Sequence, residues 1–325
     1  MAASNFSIAV NKSTDDDAIG IVRVVVDALG DMLILITLVP SMLFITCMIY
    51  AICSEITLRA NVKHIYLCNL IICDNIFLLS ITIASIFYLS RTYFNVGGCR
   101  IYMNLYRGLF NNGICCITMM AVERYVAVCH PLRYHAILTQ RFAFRSLGVI
   151  WFISFILPLT EICYLISSDR VAFEHTMYMC DSMHIQDNSQ IWHILGTART
   201  SVLVILFISS VITLITTYVC IVKVVKRACT SQVESSKAKN TVLLHMVQLI
   251  MYMGAFAIQL CYLLIEMFVS KYELKSALKT VVYLLLFVWP RFFSPFLYGI
   301  RDEEIRRPLK RMLGQLHALA KVRPT

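Results

Sequence analysis

Seven long apolar runs dominate the chain, at about 30–53, 64–89, 99–128, 146–166, 193–222, 242–269 and 276–299. Each is close to or above the roughly 20 residues that a helix needs to cross about 30 Å of hydrocarbon. Inside a bilayer no water satisfies the backbone N–H and C=O groups, so an isolated run of this kind crosses as a helix. The third run starts in polar sequence and carries interior polar groups, whereas the others are strongly apolar. Composition agrees. With 59% hydrophobic and 15% charged residues, the chain has too little charge to cover a water-soluble domain of its length. The expected fold is an all-α membrane protein, a bundle of seven transmembrane helices. No Met-basic-apolar signal peptide precedes the first run, which is expected to serve as its own insertion signal.

The formal net charge of +10 would suit a nucleic-acid binder, but its distribution suits a membrane. With the N-terminus outside, eighteen of the 29 Lys and Arg residues fall on the cytoplasmic side, the bias that orients membrane proteins. Those basic residues also attract anionic membrane lipid, on the order of 1 kcal/mol each. No nucleic-acid partner is expected. Three domains follow. Residues 1–29 form an extracellular tail whose sequons place glycosylation at Asn5 and Asn11. Residues 30–299 form the transmembrane domain, and 300–325 a cytoplasmic tail. In that tail Ile305, Leu309, Met312, Leu313, Leu316 and Leu319 recur at helical spacing among Arg306, Arg307, Lys310 and Arg311. This predicts a short amphipathic helix on the inner leaflet, shortened or kinked by Pro308.

Cys99 opens the third run and Arg124 closes it, 25 residues later, a rise of roughly 37 Å that puts them at opposite membrane faces. Cys180, in the loop after the fourth run, shares the oxidising side with Cys99. A Cys99–Cys180 bridge would pin that loop over the mouth of the bundle, with Cys163 and Cys261 as alternative partners. Most other cysteines lie in apolar runs and read as small hydrophobes. Neither a zinc-ligand spacing nor a catalytic or phosphate-binding pattern is present, so no enzyme activity, no metal and no cofactor are expected.

At the inner end stands Met119-Met120-Ala121-Val122-Glu123-Arg124-Tyr125-Val126-Ala127-Val128-Cys129-His130-Pro131-Leu132-Arg133-Tyr134. This run resembles the mark of vertebrate odorant receptors, within the rhodopsin-like (class A) G-protein-coupled receptors, with Glu123 replacing the usual Asp. Leu70 and Asp74, Trp151, Tyr218, Lys237-Ala238 with Thr241 and His245, and Ser294-Pro295-Phe296-Leu297-Tyr298-Gly299-Ile300-Arg301 match further positions. Val242 and Met246 depart from the pattern, as do Ser294 where Asn is usual and Pro40-Ser41 where Gly-Asn is expected. The Tyr298-Gly299 variant and Glu304-Ile305-Arg306 look like fish-type odorant receptors.

The resemblance implies an odorant receptor at the plasma membrane of olfactory sensory neuron cilia. It would bind a small-molecule odorant in the outer half of the bundle and activate a heterotrimeric G protein of the stimulatory type, raising cAMP. It assigns coupling to Glu123, Arg124, Tyr125, Tyr218, His245, Pro295 and Tyr298. The alternatives are a non-olfactory rhodopsin-like receptor for a peptide or lipid, and a transporter or channel. The latter predicts inverted repeats and broken spans, and the sequence shows neither. Tyr106 stands where amine receptors keep an Asp, and Val288 near where opsins keep their retinal-binding Lys, so neither a monoamine nor a covalent retinal is expected.

Intramembrane charges are functional candidates because each is costly. Arg107, roughly 12 Å below Cys99, Glu161 and Arg199 join Tyr106 as ligand-binding candidates, with purely structural Arg107–Glu161 or Glu161–Arg199 pairs as the alternative. Asp74 marks the depth at which related receptors hold sodium. Gly113 and Ser294 weaken that site here, and Arg291 falls at the same depth. The expectation is an Asp74–Arg291 pair in the ion's place; the alternative is an Arg291 facing a water-filled cavity or the lipid headgroups.

Overall fold

The computed structural model describes residues 38–90, 94–168, 177–178, 190–228, 261–270, 272–293, 304–308 and 310–311, with scattered helical positions before 37, between 251 and 258, and at 296. In chain order the helices are α1 (Leu38–Ser54), α2 (Ile56–Ala60), α3 (Val62–Leu89), α4 (Val96–Cys129), α5 (Tyr134–Ile137), α6 (Gln140–Ser168), α7 (Gln190–Ala228) and α8 (Tyr272–Tyr283). A helical segment at 261–268 precedes α8. Four helices, α3, α4, α6 and α7, are long and apolar enough to cross a membrane. They coincide with the second to fifth apolar runs. The first run contains α1, the sixth lies mostly outside the described residues, and the seventh carries α8 and its continuation.

Local chemistry sets the helix ends. Asn95 accepts a hydrogen bond from the Gly98 N–H at 2.9 Å, starting α4 ahead of its apolar run. The helix stops where His130 takes a non-helical backbone before Pro131, as a residue preceding proline must. Gln140 starts α6 six residues earlier than its apolar run, with the Thr139 hydroxyl accepting from the Phe142 N–H at 3.2 Å. The Gln140 side chain donates to the Ala60 carbonyl at 2.9 Å, tying α6 to α2.

α8 runs into a single π-helical stretch, Leu284–Val288, and the helix resumes through 293. A π stretch adds a residue to the turn and so rotates all that follows by about 100°. Two two-residue strands, β1 (Phe94–Asn95) and β2 (Met177–Tyr178), pair antiparallel and fasten the loop after α6 to the start of α4.

α4 is the central helix, packed against α3, α6 and α7. One buried cluster gathers Tyr66, Leu70, Cys116, Ile117 and Met120 around its Arg124 half. Ile305 of the short helix at 304–308 is buried in the same cluster. Glu304 of that helix meets Lys63 at 3.4 Å and His64 at 3.6 Å, docking it on the start of α3. The second cluster, with Phe77, Leu109, Phe287 and Val288, fills the bundle nearer Cys99. Large apolar side chains such as Phe152 on α6 and Ile205 on α7 are exposed, as expected of surfaces that lipid covers.

Candidate functional site

Three charged clusters are strung along α4. Near its start, Glu161 of α6 is 3% exposed and uses both carboxylate oxygens. Oε2 accepts from Arg107 Nη1 of α4 at 3.3 Å, and Oε1 from Arg199 Nη1 of α7 at 3.1 Å. The two pairings foreseen as alternatives are thus both made, on one carboxylate. Arg107 Nη1 also donates to Asn104 Oδ1 at 3.3 Å, while the buried Asn104 Nδ2 has no hydrogen-bond partner among the described residues. Arg107 and Glu161 can meet because α4 and α6 approach closely at the neighbouring Gly108. There a Cβ would collide with the Phe155 ring. Pro158, one turn before Glu161, leaves a backbone hydrogen bond of α6 unmade.

Deeper in the bundle, Arg291 Nε lies 3.6 Å from Asp74 Oδ1, and both side chains are almost fully enclosed. Arg291 Nη1 donates to the Phe287 carbonyl at 2.8 Å. Its guanidinium carbon stands 4.1 Å from the centre of the Phe77 ring, 4.6 Å from Phe287 and 5.2 Å from Phe110. An aromatic face attracts a cation, so the three rings stabilise a charge that hydrocarbon alone would reject. The guanidinium is enclosed and so does not reach the headgroups. The π stretch ends three residues before Arg291 and contributes to its direction. Tyr106 stacks on Phe77 at 4.5 Å and so belongs with this cage rather than with its neighbour Arg107.

At the far end of α4, buried Glu123 takes Arg124 Nε at 3.3 Å on one oxygen and the Tyr134 hydroxyl at 2.8 Å on the other. Burial, reinforced by Glu123, pushes the Tyr134 hydroxyl well above the ordinary tyrosine range, so it remains a donor. Tyr125 packs edge-on against His130 and its hydroxyl lies 3.5 Å from His130 Nε2. Tyr218 is half-buried on α7.

Cys99 is disulfide-bonded, whereas Cys163 and Cys261, the alternative partners, are free thiols. Cys180, the partner expected for it, lies outside the described residues, as do Asn5, Asn11, His245, Pro295 and Tyr298. Among the described residues, no group of three or more His, Cys, Asp or Glu side chains is arranged to hold a metal ion.

Three asparagines outside the family pattern also contribute. Trp151 Nε1 donates to Asn69 Oδ1 at 2.9 Å, and Asn69 Nδ2 donates to Asn112 Oδ1 at 2.9 Å, binding α6, α3 and α4. The signal was present: Asn69, Asn104 and Asn112 are polar groups inside apolar runs. The caging phenylalanines gave none, since aromatic residues recur throughout the spans.

The family described as "7 transmembrane receptor (rhodopsin family)" matches residues 46–298. Among curated relatives, human olfactory receptor 6K3 is 28% identical over 224 residues, covering 66% of this chain and 63% of that protein. Zebrafish (Danio rerio) odorant receptor 131-2 is 28% identical over 200 residues, covering 60% of this chain and 58% of the relative. Human olfactory receptor 6K2 is 25% identical over 249 residues, 73% of this chain and 72% of the relative. The matched stretch is less than two thirds of the first two relatives' own length.

Proposed function

Since the chain belongs to the rhodopsin family of seven-transmembrane receptors, and is a receptor rather than an enzyme, we propose that it is an odorant receptor. In this reading the N-terminus is extracellular, all seven apolar runs cross the plasma membrane, and olfactory sensory cilia are its site of action. A small molecule binds between α4, α6 and α7 near the Cys99 end of the bundle. A stimulatory G protein engages the Arg124 end and raises cAMP. The relatives' names favour an odorant over a peptide or lipid ligand.

The observation that carries the proposal is the double tether on Glu123. A buried carboxylate is costly unless paired, and Arg124 with Tyr134 offsets that cost while the far end of α4 stays closed. Activation would separate Arg124 from Glu123 and offer the guanidinium to the G protein. Tyr125, Tyr218, His245, Pro295 and Tyr298 take the accompanying roles that the family pattern assigns. A Cys99–Cys180 bridge would hold the loop after α6 over the ligand mouth, beside the β1–β2 pair.

The test is Arg124→Ala in cells carrying the stimulatory olfactory G protein. The variant should reach the surface at near wild-type level and give no agonist-dependent cAMP. Normal cAMP output from it would rule out the assignment.

A further inference from the structure

Resting on the reading of the Cys99 half of the bundle as the ligand side, we propose that the Glu161 cluster is an anion site and that the ligand is a small amphipathic carboxylate. Among the described residues the ion-paired cluster holds two guanidinium groups and one carboxylate, an excess of positive charge to which Arg100, two turns toward Cys99 on α4, adds at longer range. The excess sits where a lone charge is expensive, and a bound monoanion would offset it.

The available donors match that chemistry. A guanidinium has five N–H groups in a planar fork. Arg107 and Arg199 each reach Glu161 through Nη1 alone, so among the described residues Nη2 and Nε of both stay uncommitted. Asn104 is 1% exposed, and among the described residues its Nδ2 is a donor without an acceptor. It belongs to the same amide whose oxygen accepts from Arg107, so it lies within the cluster.

Exposure gives the site a direction. Glu161 is 3% exposed, whereas Arg107 and Arg199 are 25% and 37% exposed, so an incoming group meets the two arginines before the carboxylate. A carboxylate meeting them would accept charge-assisted, forked hydrogen bonds from both arginines. A neutral alcohol or ester would leave the excess positive charge unmatched. The rest of the ligand would lie among the apolar side chains of α4, α6 and α7.

The purified full-length receptor tests this by thermal unfolding. Straight-chain carboxylates from butanoate to decanoate, benzoate and phenylacetate are compared with their methyl esters and primary amides. At least one carboxylate should raise Tm where its ester and amide do not. Arg107→Gln and Arg199→Gln should each weaken that carboxylate by about ten- to a hundredfold. Glu161→Gln, which removes a competing anion, should bind it at least as tightly. Stabilisation by esters as strong as by acids, no stabilisation by any carboxylate, or unchanged affinity in both arginine variants would overturn the anion site. The same compounds are then applied to cells and cAMP is read. A carboxylate that stabilises the receptor yet never changes cAMP leaves the anion site standing and removes the signalling reading. Responses confined to neutral compounds do the reverse.

Discussion

Asp74 with Arg291, and Glu161 with Arg107 and Arg199, are assembled from the same chemical groups, yet they are built to opposite plans. Among the described residues the first is balanced and closed: one carboxylate, one guanidinium, three aromatic rings and a backbone carbonyl that takes a remaining N–H. The second is unbalanced and half open, with one enclosed carboxylate shared between two partly exposed cations. A closed, neutral pair is suited to holding helices in place. An open cluster with spare charge and spare donors is suited to receiving something. The difference implies opposite responses to mutation, because the closed pair should fail in folding and the open cluster in ligand response.

The largest effect is expected at the closed pair. Removing either partner strands a buried charge, at a cost of about 3–5 kcal/mol. Asp74→Asn and Arg291→Gln should therefore each lose most surface receptor, as read by antibody labelling of intact cells. The double variant should recover part of the loss, since no ion is then left alone. Losses that simply add would contradict a coupled pair. Because the guanidinium occupies the place beside Asp74, exchanging sodium for another monovalent cation should leave basal output unchanged.

At the open cluster the effects should be smaller and asymmetric. Glu161→Gln leaves two guanidinium groups without their shared counter-ion, costing roughly 3 kcal/mol at most, because both are only partly enclosed. Losing only one arginine leaves Glu161 still paired through the other oxygen. Arg107→Gln and Arg199→Gln should accordingly keep surface levels near wild type while ligand potency falls. Surface loss in the single arginine variants as severe as in Asp74→Asn would erase the distinction between the clusters.

The two clusters also differed in how far sequence could reveal them. Depth, together with the resemblance to receptors that hold sodium beside this Asp, brings Asp74 and Arg291 to one place, because helical rise is fixed and charges in hydrocarbon are few. The cage around them was invisible, since its direction depends on the π stretch at Leu284–Val288 and no residue there announces one. At the open cluster the three charged residues stood out, but their sharing of one carboxylate follows from helix proximity, which apolar periodicity does not encode.

Apolar runs located α3, α4, α6 and α7 but missed their polar ends. A membrane helix continues into water wherever a cap such as Asn95 or a tie such as Gln140 to Ala60 supports it. The β1–β2 pair is too short for any alternation to register. Tyr134 was read only as part of a motif, and its bond to Glu123 depends on the turn that Pro131 imposes on the chain.

The smallest and most local prediction concerns the spacing that makes the open cluster. Arg107 reaches Glu161 because α4 and α6 run close at Gly108, where even a methyl group would meet the Phe155 ring. Gly148, also on α6, has nothing within 4 Å of the same added methyl. Gly108→Ala should therefore force Phe155 aside or part the helices, at the 1–3 kcal/mol typical of overpacking, roughly. Gly148→Ala should be neutral or gain up to about 1 kcal/mol from helix propensity. The Gly108 variant should weaken carboxylate potency through the misplaced Arg107 and disturb the Asp74–Arg291 pair less, because α4 meets that pair chiefly through the aromatic cage. Adding Phe155→Leu to Gly108→Ala, which makes room for the methyl, should return both Tm and potency toward wild type. If Gly108→Ala matched Gly148→Ala in both measurements, close approach of α4 and α6 would not be what brings the open cluster together.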